Sequence, residues 1–166
     1  MRHLYWILPD LLAGRPGPNR APWDPGALAA AGIGAVLSLD SREVDAKALE
    51  AAGLEHAFVE LPADDEANEA TEATCLERLP GAQAFLETQV EAGRATVVHC
   101  SMGRDRTALV LAYFVACRDD LDADFALARI RDARPDALFA RRWEPMGLRV
   151  IDELMSRRKR RPGRHR

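Results

Sequence analysis

One short stretch of the chain combines a cysteine with an arginine six positions later, among small and polar residues. It reads His-Cys-Ser-Met-Gly-Arg-Asp-Arg-Thr, spans residues 99–107 and follows the apolar run Ala-Thr-Val-Val. A loop that leads from a strand into a helix directs backbone N–H groups at one point, where the helix dipole adds positive potential. Gly103 lets such a loop turn tightly, and the Arg106 guanidinium can bind two oxygens of a tetrahedral oxyanion. The stretch therefore predicts a phosphate-binding loop with a sulfur at its base.

The same surroundings would favour the thiolate form of Cys100, which is the nucleophilic form of cysteine. A thiolate beside a bound phosphate ester is placed for in-line attack on phosphorus. Thr107 would donate a hydrogen bond to the sulfur when it leaves again. We expect His99 to hold the loop by hydrogen bonds, because an ionised sulfur needs no base. The residues expected to bind the phosphoryl oxygens are Ser101, Met102, Gly103, Arg104, Asp105 and Arg106.

The stretch resembles the His-Cys-x5-Arg-[Ser/Thr] signature of the cysteine-dependent protein phosphatases. The compact dual-specificity or tyrosine phosphatase type fits the chain length, and residues 7–18 look like the opening segment of its small members. The resemblance covers about residues 4–155. It implies hydrolysis of phosphoric monoesters through a cysteinyl-phosphate intermediate, with no metal and no other cofactor. The implied substrates are phosphorylated proteins or phosphoinositides.

Members of that group protonate the leaving oxygen with an aspartic acid from a loop before the signature. Here Leu-Pro-Ala-Asp-Asp-Glu-Ala-Asn (61–68) follows a predicted strand, and its Pro-x-x-Asp spacing assigns the acid to Asp65, with Asp64 as an alternative. As a carboxylate, the same residue would then activate water. An acidic loop before a helix can also be only solvated charge that favours the helix N-terminus.

Asp105 is a second alternative acid, because it directly precedes the signature arginine. That arrangement resembles the myotubularin-type phosphoinositide phosphatases, in which this aspartate is proposed as the acid. The sequence departs from their pattern at Met102 and Arg104, and the chain is far shorter. We therefore favour a role in which Asp105 ties the loop to a neighbouring backbone group or to an arginine.

Two functions of other classes remain open from the sequence. Because the acid is not settled, the chain can be a catalytically weak module that binds phosphorylated partners without turning them over. Sulfur or arsenate chemistry on a similar anion-binding loop is a third reading. The proline-led acidic loop and the Arg-Thr ending of the signature disfavour it.

Alternating elements must position these residues. Apolar runs predict strands, and periodic segments with capping residues such as Asp24 and Pro25 predict helices. The predicted strands are 4–8, 35–39, 56–61 and 95–100, the predicted helices are 25–32, 42–53, 74–92, 104–118, 122–132 and 141–157, and the predicted loops include 13–26 and 62–73. This order predicts a single α/β domain with a central, mostly parallel sheet of four to five strands flanked by helices. The signature then lies at the carboxyl edge of a central strand, where such sheets bind ligands.

The composition indicates an ordinary globular chain of 166 residues with a net charge of −3. Its cysteines, Cys75, Cys100 and Cys117, are too few and too widely spaced for a disulfide framework or a structural zinc site. No apolar run reaches the length of a membrane span, and the first residues do not resemble a signal peptide. We expect a monomer in the cytoplasm.

The charge is distributed unevenly along the chain. Residues 157–166 contain seven arginines or lysines and no acid, so residues 1–156 sum to −10. We therefore divide the chain into a phosphatase domain, 1–156, and a basic C-terminal tail, 157–166. The tail is either a solvated extension or a contact for anionic lipid or nucleic acid.

Overall fold

Five strands form one mixed sheet in the order β1-β2-β5-β3-β4. The chain is described by a computed structural model that covers residues 1–161. β1 pairs with β2 antiparallel, and every other neighbouring pair is parallel. The strands are β1 (Tyr5–Leu8), β2 (Leu12–Pro16), β3 (Ala35–Ser38), β4 (Glu55–Phe58) and β5 (Thr96–Cys100). The predicted fold class, a single α/β domain with a mostly parallel central sheet, is confirmed.

Helices cover both faces of this sheet. They are α1 (Pro25–Ala30), α2 (Ala46–Ala51), α3 (Glu69–Glu91), α4 (Arg106–Asp119), α5 (Ala123–Ala133) and α6 (Trp143–Arg160). The start of α1 follows its sequence, because the Asp24 side chain accepts a hydrogen bond from the Gly26 N–H and Pro25 occupies the first turn.

The central strand β5 is buried along its whole length. Its successive side chains point to opposite faces, so Val98 packs into the larger core with α3 to α6, and Val97 packs with Leu28 and Leu49 of α1 and α2. This two-sided cover explains why the strand is apolar without alternation. Packing on both faces also fixes the position of β5, which ends in Cys100.

The strand β2 was missed, because residues 13–26 contain turn-forming residues and were predicted as a loop. Gly14 belongs in the strand for a packing reason, since a Cβ at this position would overlap the Tyr5 ring. Pro16 is tolerated because it is the last residue of β2. Tertiary packing between β1 and β5 therefore overrides the local turn signal.

The loop predicted over 62–73 is shorter than expected, because α3 begins at Glu69. Asn68 and Thr71 form a capping box, in which each side chain accepts a hydrogen bond from the backbone N–H of the other residue. The helix predicted over 42–53 is divided into a 3₁₀ turn, Ser41–Glu43, and α2. Asp45 caps α2 from extended backbone, which separates the two pieces.

The helix α6 continues through the predicted domain boundary at residue 156 and ends at Arg160. The Glu153 carboxylate pairs with Arg157 one turn later, at 2.7 Å, across that boundary. The rest of the predicted tail, residues 162–166, lies outside the described residues. Within residues 1–161, no helix combines the length and the apolar character needed to cross a membrane.

Candidate active site

The predicted phosphate-binding loop connects β5 to α4. The Gly103 N–H donates a hydrogen bond to the Cys100 Sγ at 3.2 Å, and the Tyr5 hydroxyl donates one to the Gly103 carbonyl at 2.6 Å. Gly103 has a φ of +66°, and a Cβ there would lie 2.5 Å from the Arg15 carbonyl carbon. The residue is glycine because both the backbone conformation and the close approach of β2 require it.

This loop borders a cavity of about 240 Å³ at the carboxyl edge of the sheet. Cys100 is only 2% exposed and lies at its base. The cavity is lined by Arg42, Ala63, Asp64, Asp65, Cys100, Ser101, Met102, Arg104, Asp105, Arg106, Ala140 and Trp143. The structure thus brings together the predicted nucleophile, the acidic loop and the predicted phosphate-binding residues, except for Gly103, which does not line the cavity.

The Arg106 side chain is held by one of its nitrogens. Its Nη1 donates to the Leu39 and Leu61 carbonyls at 3.4 Å and to the Asp40 Oδ2 at 3.3 Å. Within residues 1–161, its Nε and Nη2 have no hydrogen-bond partner. These two nitrogens form the edge of the guanidinium that can bind two oxygens of one phosphoryl group.

Asp40 is a site residue that the sequence reasoning missed. Its carboxylate accepts from the Arg42 Nε at 2.9 Å and from the Arg42 Nη2 at 2.7 Å, in addition to Arg106. The hydrogen bonds from Arg42, with the charge of Arg106, hold the pKa of Asp40 well below its usual range. The available signal was its position just beyond the carboxyl end of β3, which neighbours β5 in the sheet.

His99 lies behind the loop and not in the cavity. Its Nδ1 donates to the Cys100 carbonyl at 3.2 Å, because a carbonyl only accepts, and its Nε2 accepts from the Ser38 hydroxyl at 2.6 Å. Burial lowers the pKa of His99 to about 4, so the ring is neutral at neutral pH. These contacts fit the holding role predicted for His99.

The two acidic residues of the preceding loop differ in their surroundings. The Asp64 Oδ2 accepts a hydrogen bond from the Thr71 hydroxyl at 2.5 Å, which ties this carboxylate to the start of α3. Asp65 is exposed at the cavity, and its carboxylate has no hydrogen bond or ion pair with any described residue. Both residues line the cavity, and among residues 1–161 only Asp64 has a side-chain hydrogen bond.

Asp105 has both carboxylate oxygens engaged. Its Oδ1 accepts from the Ala140 N–H at 3.1 Å, and its Oδ2 accepts from Arg104 at 3.1 and 3.2 Å. These are the two kinds of contact expected of a residue that ties the loop to its surroundings. Both carboxylate oxygens of Asp105 are thus occupied by contacts within the protein.

Thr107 is buried in the first turn of α4. Its hydroxyl oxygen has no partner within residues 1–161. A buried hydroxyl in this state can donate a hydrogen bond to an acceptor that appears only during a reaction. This is the condition required for the predicted contact with the leaving sulfur.

Comparison with protein families gives a match over more than half of the chain. The family described as "Polymorphic toxin system, DSP-PTPase phosphatase" matches residues 14–119. Dual specificity protein phosphatase 12 of Mus musculus is 34% identical over 114 residues, which cover 69% of this chain and 32% of that protein. The chain thus spans about a third of the length of the curated relatives it matches.

Solved structures give the same fold. Tk-PTP in its active form has a TM-score of 0.73 at 21% identity, and the match covers 94% of this chain and 98% of that one. PTPMT1 in complex with PI(5)P has a TM-score of 0.73 at 15% identity, and the match covers 93% and 98%. These similarities confirm the small dual-specificity phosphatase fold that the signature implied.

Proposed function

The chain belongs to the DSP-PTPase phosphatase family described for polymorphic toxin systems, and from that premise we propose that it hydrolyses phosphoric monoesters through a cysteinyl-phosphate intermediate. One observation carries the proposal. A single cavity is lined by Cys100 at its base, by Arg106 and by Asp65; among residues 1–161, two nitrogens of Arg106 and the Asp65 carboxyl have no partner.

In the first step, the Cys100 thiolate attacks phosphorus in line with the ester oxygen. The P–S bond forms as the P–O bond to the leaving group breaks. Arg106 and the backbone N–H groups of the loop hold the three remaining phosphoryl oxygens. Asp65, protonated at this stage, gives its proton to the departing oxygen, so that the product leaves as a neutral alcohol or phenol.

In the second step, the Asp65 carboxylate takes a proton from a water molecule. The water oxygen attacks phosphorus, the P–S bond breaks, and inorganic phosphate is released. The sulfur leaves as a thiolate, stabilised by the Gly103 N–H and by the Thr107 hydroxyl. Asp65 then carries the proton needed for the next turnover.

Phosphoproteins and phosphoinositides are the two proposed substrate classes. Membership of the family favours phosphorylated proteins as substrates. Phosphoinositides are included because the fold neighbour PTPMT1 was solved in complex with PI(5)P. Release of inorganic phosphate should be measured on phosphotyrosine peptides, phosphoserine or phosphothreonine peptides, and phosphoinositides in mixed micelles. The class with the highest kcat/KM identifies the substrate.

The test of activity is turnover of p-nitrophenyl phosphate by the full chain. Cys100→Ser should abolish turnover, whereas Cys117→Ser, a matched loss of a half-buried thiol outside the site, should leave it unchanged. Wild-type protein that unfolds cooperatively and yet does not turn over any phosphate ester would refute the proposal. Tight binding of a phosphopeptide without phosphate release would instead identify a binding module.

We further propose that the chain is a monomer and that it is located in the cytoplasm. Light scattering of the full chain tests the first, and fractionation of the source cells tests the second. A truncation after residue 156 tests whether the basic segment contacts anionic vesicles or nucleic acid. Loss of salt-sensitive binding in that truncation would support a contact, and unchanged binding would exclude it.

A further inference from the structure

One segment touches both of the loops that the proposed reaction needs. This connector segment, residues 138–143, lies in the second half of the connection between α5 and α6 and ends at Trp143, the first residue of α6. On one side, its Leu138 N–H donates to the Arg104 carbonyl at 3.3 Å, and its Ala140 N–H donates to the Asp105 carboxylate at 3.1 Å. The connector segment is therefore fixed to the phosphate-binding loop.

On its other side, the connector segment holds the acidic loop. The Ala67 N–H donates to the Arg141 carbonyl at 2.9 Å, and the Trp143 indole N–H donates to the Asp64 carbonyl at 2.9 Å. Glu66 adds an ion pair with Arg142 at 3.2 Å. The two residues that flank Asp65 are therefore both held, Asp64 through its backbone carbonyl and Glu66 through its side chain.

The backbone of the connector segment is strained at both ends. Leu138 has a φ of +55° and Arg142 has a φ of +65°, although neither is glycine. Such conformations cost on the order of 1–3 kcal/mol each and persist where the surrounding contacts fix them. Trp143 directly follows Arg142, is only 1% exposed and packs in the larger core, and this packing fixes the backbone at that end of the connector segment.

We infer that Trp143 is a positioning residue for the proposed reaction: its indole N–H, anchored through the connector segment to the phosphate-binding loop, sets the place of Asp65 over Cys100. The inference rests on the proposed function. Its basis is geometric: Asp65 has no partner of its own among the described residues, so its flanking residues position it, and the indole N–H is the contact that holds the backbone of the preceding one. The indole also lines the cavity, which places this contact at the site.

The test is the dependence of kcat/KM on the leaving group, measured with aryl phosphates whose phenols range from strongly to weakly acidic. In the wild type, protonation by Asp65 should make the rate nearly independent of the phenol. Trp143→Phe keeps an aromatic ring and removes the N–H. We expect the kcat/KM of this variant to fall at least about 10-fold for the poorest leaving group and much less for the best. A general acid as a whole contributes roughly 10²–10⁴-fold.

A double-variant cycle separates positioning from stability. Asp65→Asn should give the same leaving-group dependence, and adding Trp143→Phe to it should cost little more, because both changes remove one function. Trp6→Phe, a half-buried tryptophan in the smaller core, is the matched control and should match the wild type. Should Trp143→Phe not unfold cooperatively, benzothienylalanine at position 143 removes the N–H while keeping the shape.

The outcomes are distinct. A steeper leaving-group dependence that is not additive with Asp65→Asn supports the inference. An equal loss on every aryl phosphate, or no change at all, overturns it, since a merely structural role would not discriminate among phenols. Wild-type protein inert on the whole series would instead refute the proposed function.

Discussion

The Arg106 guanidinium and the Asp40 carboxylate lie 3.3 Å apart, and both side chains are almost completely buried. Asp40 is shared with Arg42, whose side chain is 73% exposed at the rim of the cavity. One buried carboxylate therefore holds one arginine at the floor and another at the rim. The contacts of its Nη1 orient the Arg106 guanidinium before any phosphate arrives, which lowers the cost of binding.

Asp40→Ala should weaken phosphate binding and destabilise the fold. Removing one partner of a buried ion pair costs roughly 3–5 kcal/mol, because the other charge stays buried and unpaired. We expect the Ki of inorganic phosphate to rise at least about 10-fold, which corresponds to about 1.4 kcal/mol. Competitive inhibition and urea unfolding measure the two effects.

The control for this variant is Asp45→Ala, which removes the exposed cap of α2 and leaves the cavity intact. It should lose about 1 kcal/mol of stability and no phosphate affinity. Because the pKa of Asp40 is depressed, its contribution to stability is complete above the ordinary range of aspartic acid and is lost as the pH falls below it. An Asp40→Ala deficit that does not shrink in acid would contradict this account of the pair.

His99 should make the fold sensitive to mild acid. Its pKa is about 4 in the folded chain, against an ordinary value of 6.5, so below pH 6.5 only the unfolded chain takes up the proton. This residue should lower the free energy of unfolding by about 2 kcal/mol between pH 7 and pH 5. Urea unfolding at the two pH values measures it, and His99→Gln should remove that part of the dependence.

Gly103→Ala and Gly93→Ala form a matched pair, because both glycines have a φ of +66°. A Cβ at Gly93 meets nothing within 4 Å, so this variant should lose only the roughly 1–2 kcal/mol of the left-handed conformation. A Cβ at Gly103 meets the backbone of Arg15, which cannot yield without moving β2. We expect Gly103→Ala to lose at least about 10-fold in kcat/KM and to lose more stability than Gly93→Ala. Equal effects of the two variants in thermal unfolding and kinetics would show that the close approach of Gly103 to the Arg15 backbone is unimportant.

Asp105→Asn and Asp65→Asn decide which residue is the general acid. Asparagine at position 105 can still accept the hydrogen bond from the Ala140 N–H, so we expect kcat to fall less than about 10-fold. Asparagine at 65 cannot donate an acidic proton, and we expect kcat on a poor leaving group to fall about 10²–10⁴-fold. The reverse pattern would move the acid to Asp105.

The sequence predicted the reactive residues of the site better than it predicted the residues that hold them in place. Cys100 and Arg106 lie in one contiguous stretch, and their spacing predicted that both would line one cavity, as they do. Asp40 was missed because its partner Arg106 is 66 residues away in sequence. Trp143 looks like a packing residue, and it is one. Its hydrogen bond to Asp64 depends on how α6 meets the acidic loop, which no local pattern records.

The errors in the fold have the same origin. The strand β2 carries the glycine and proline of a turn, and only its pairing between β1 and β5 makes it a strand. The early start of α3 depends on the reciprocal cap of Asn68 and Thr71, inside a stretch whose acidic character suggested a loop. The long apolar elements β5 and α4 were predicted closely because burial on all sides leaves a strong signal in the sequence.

The most direct test of the central claim is to trap the intermediate. Asp65→Asn should slow its hydrolysis, so this variant is mixed rapidly with an aryl phosphate of a good leaving group, quenched, digested and mapped by mass spectrometry. The account predicts one phosphoryl group on the sulfur of Cys100, absent when Cys100→Ser is added. Release of phosphate by the wild type with no phosphorylated Cys100 at any quench time, or with the phosphoryl group on another residue, would contradict it.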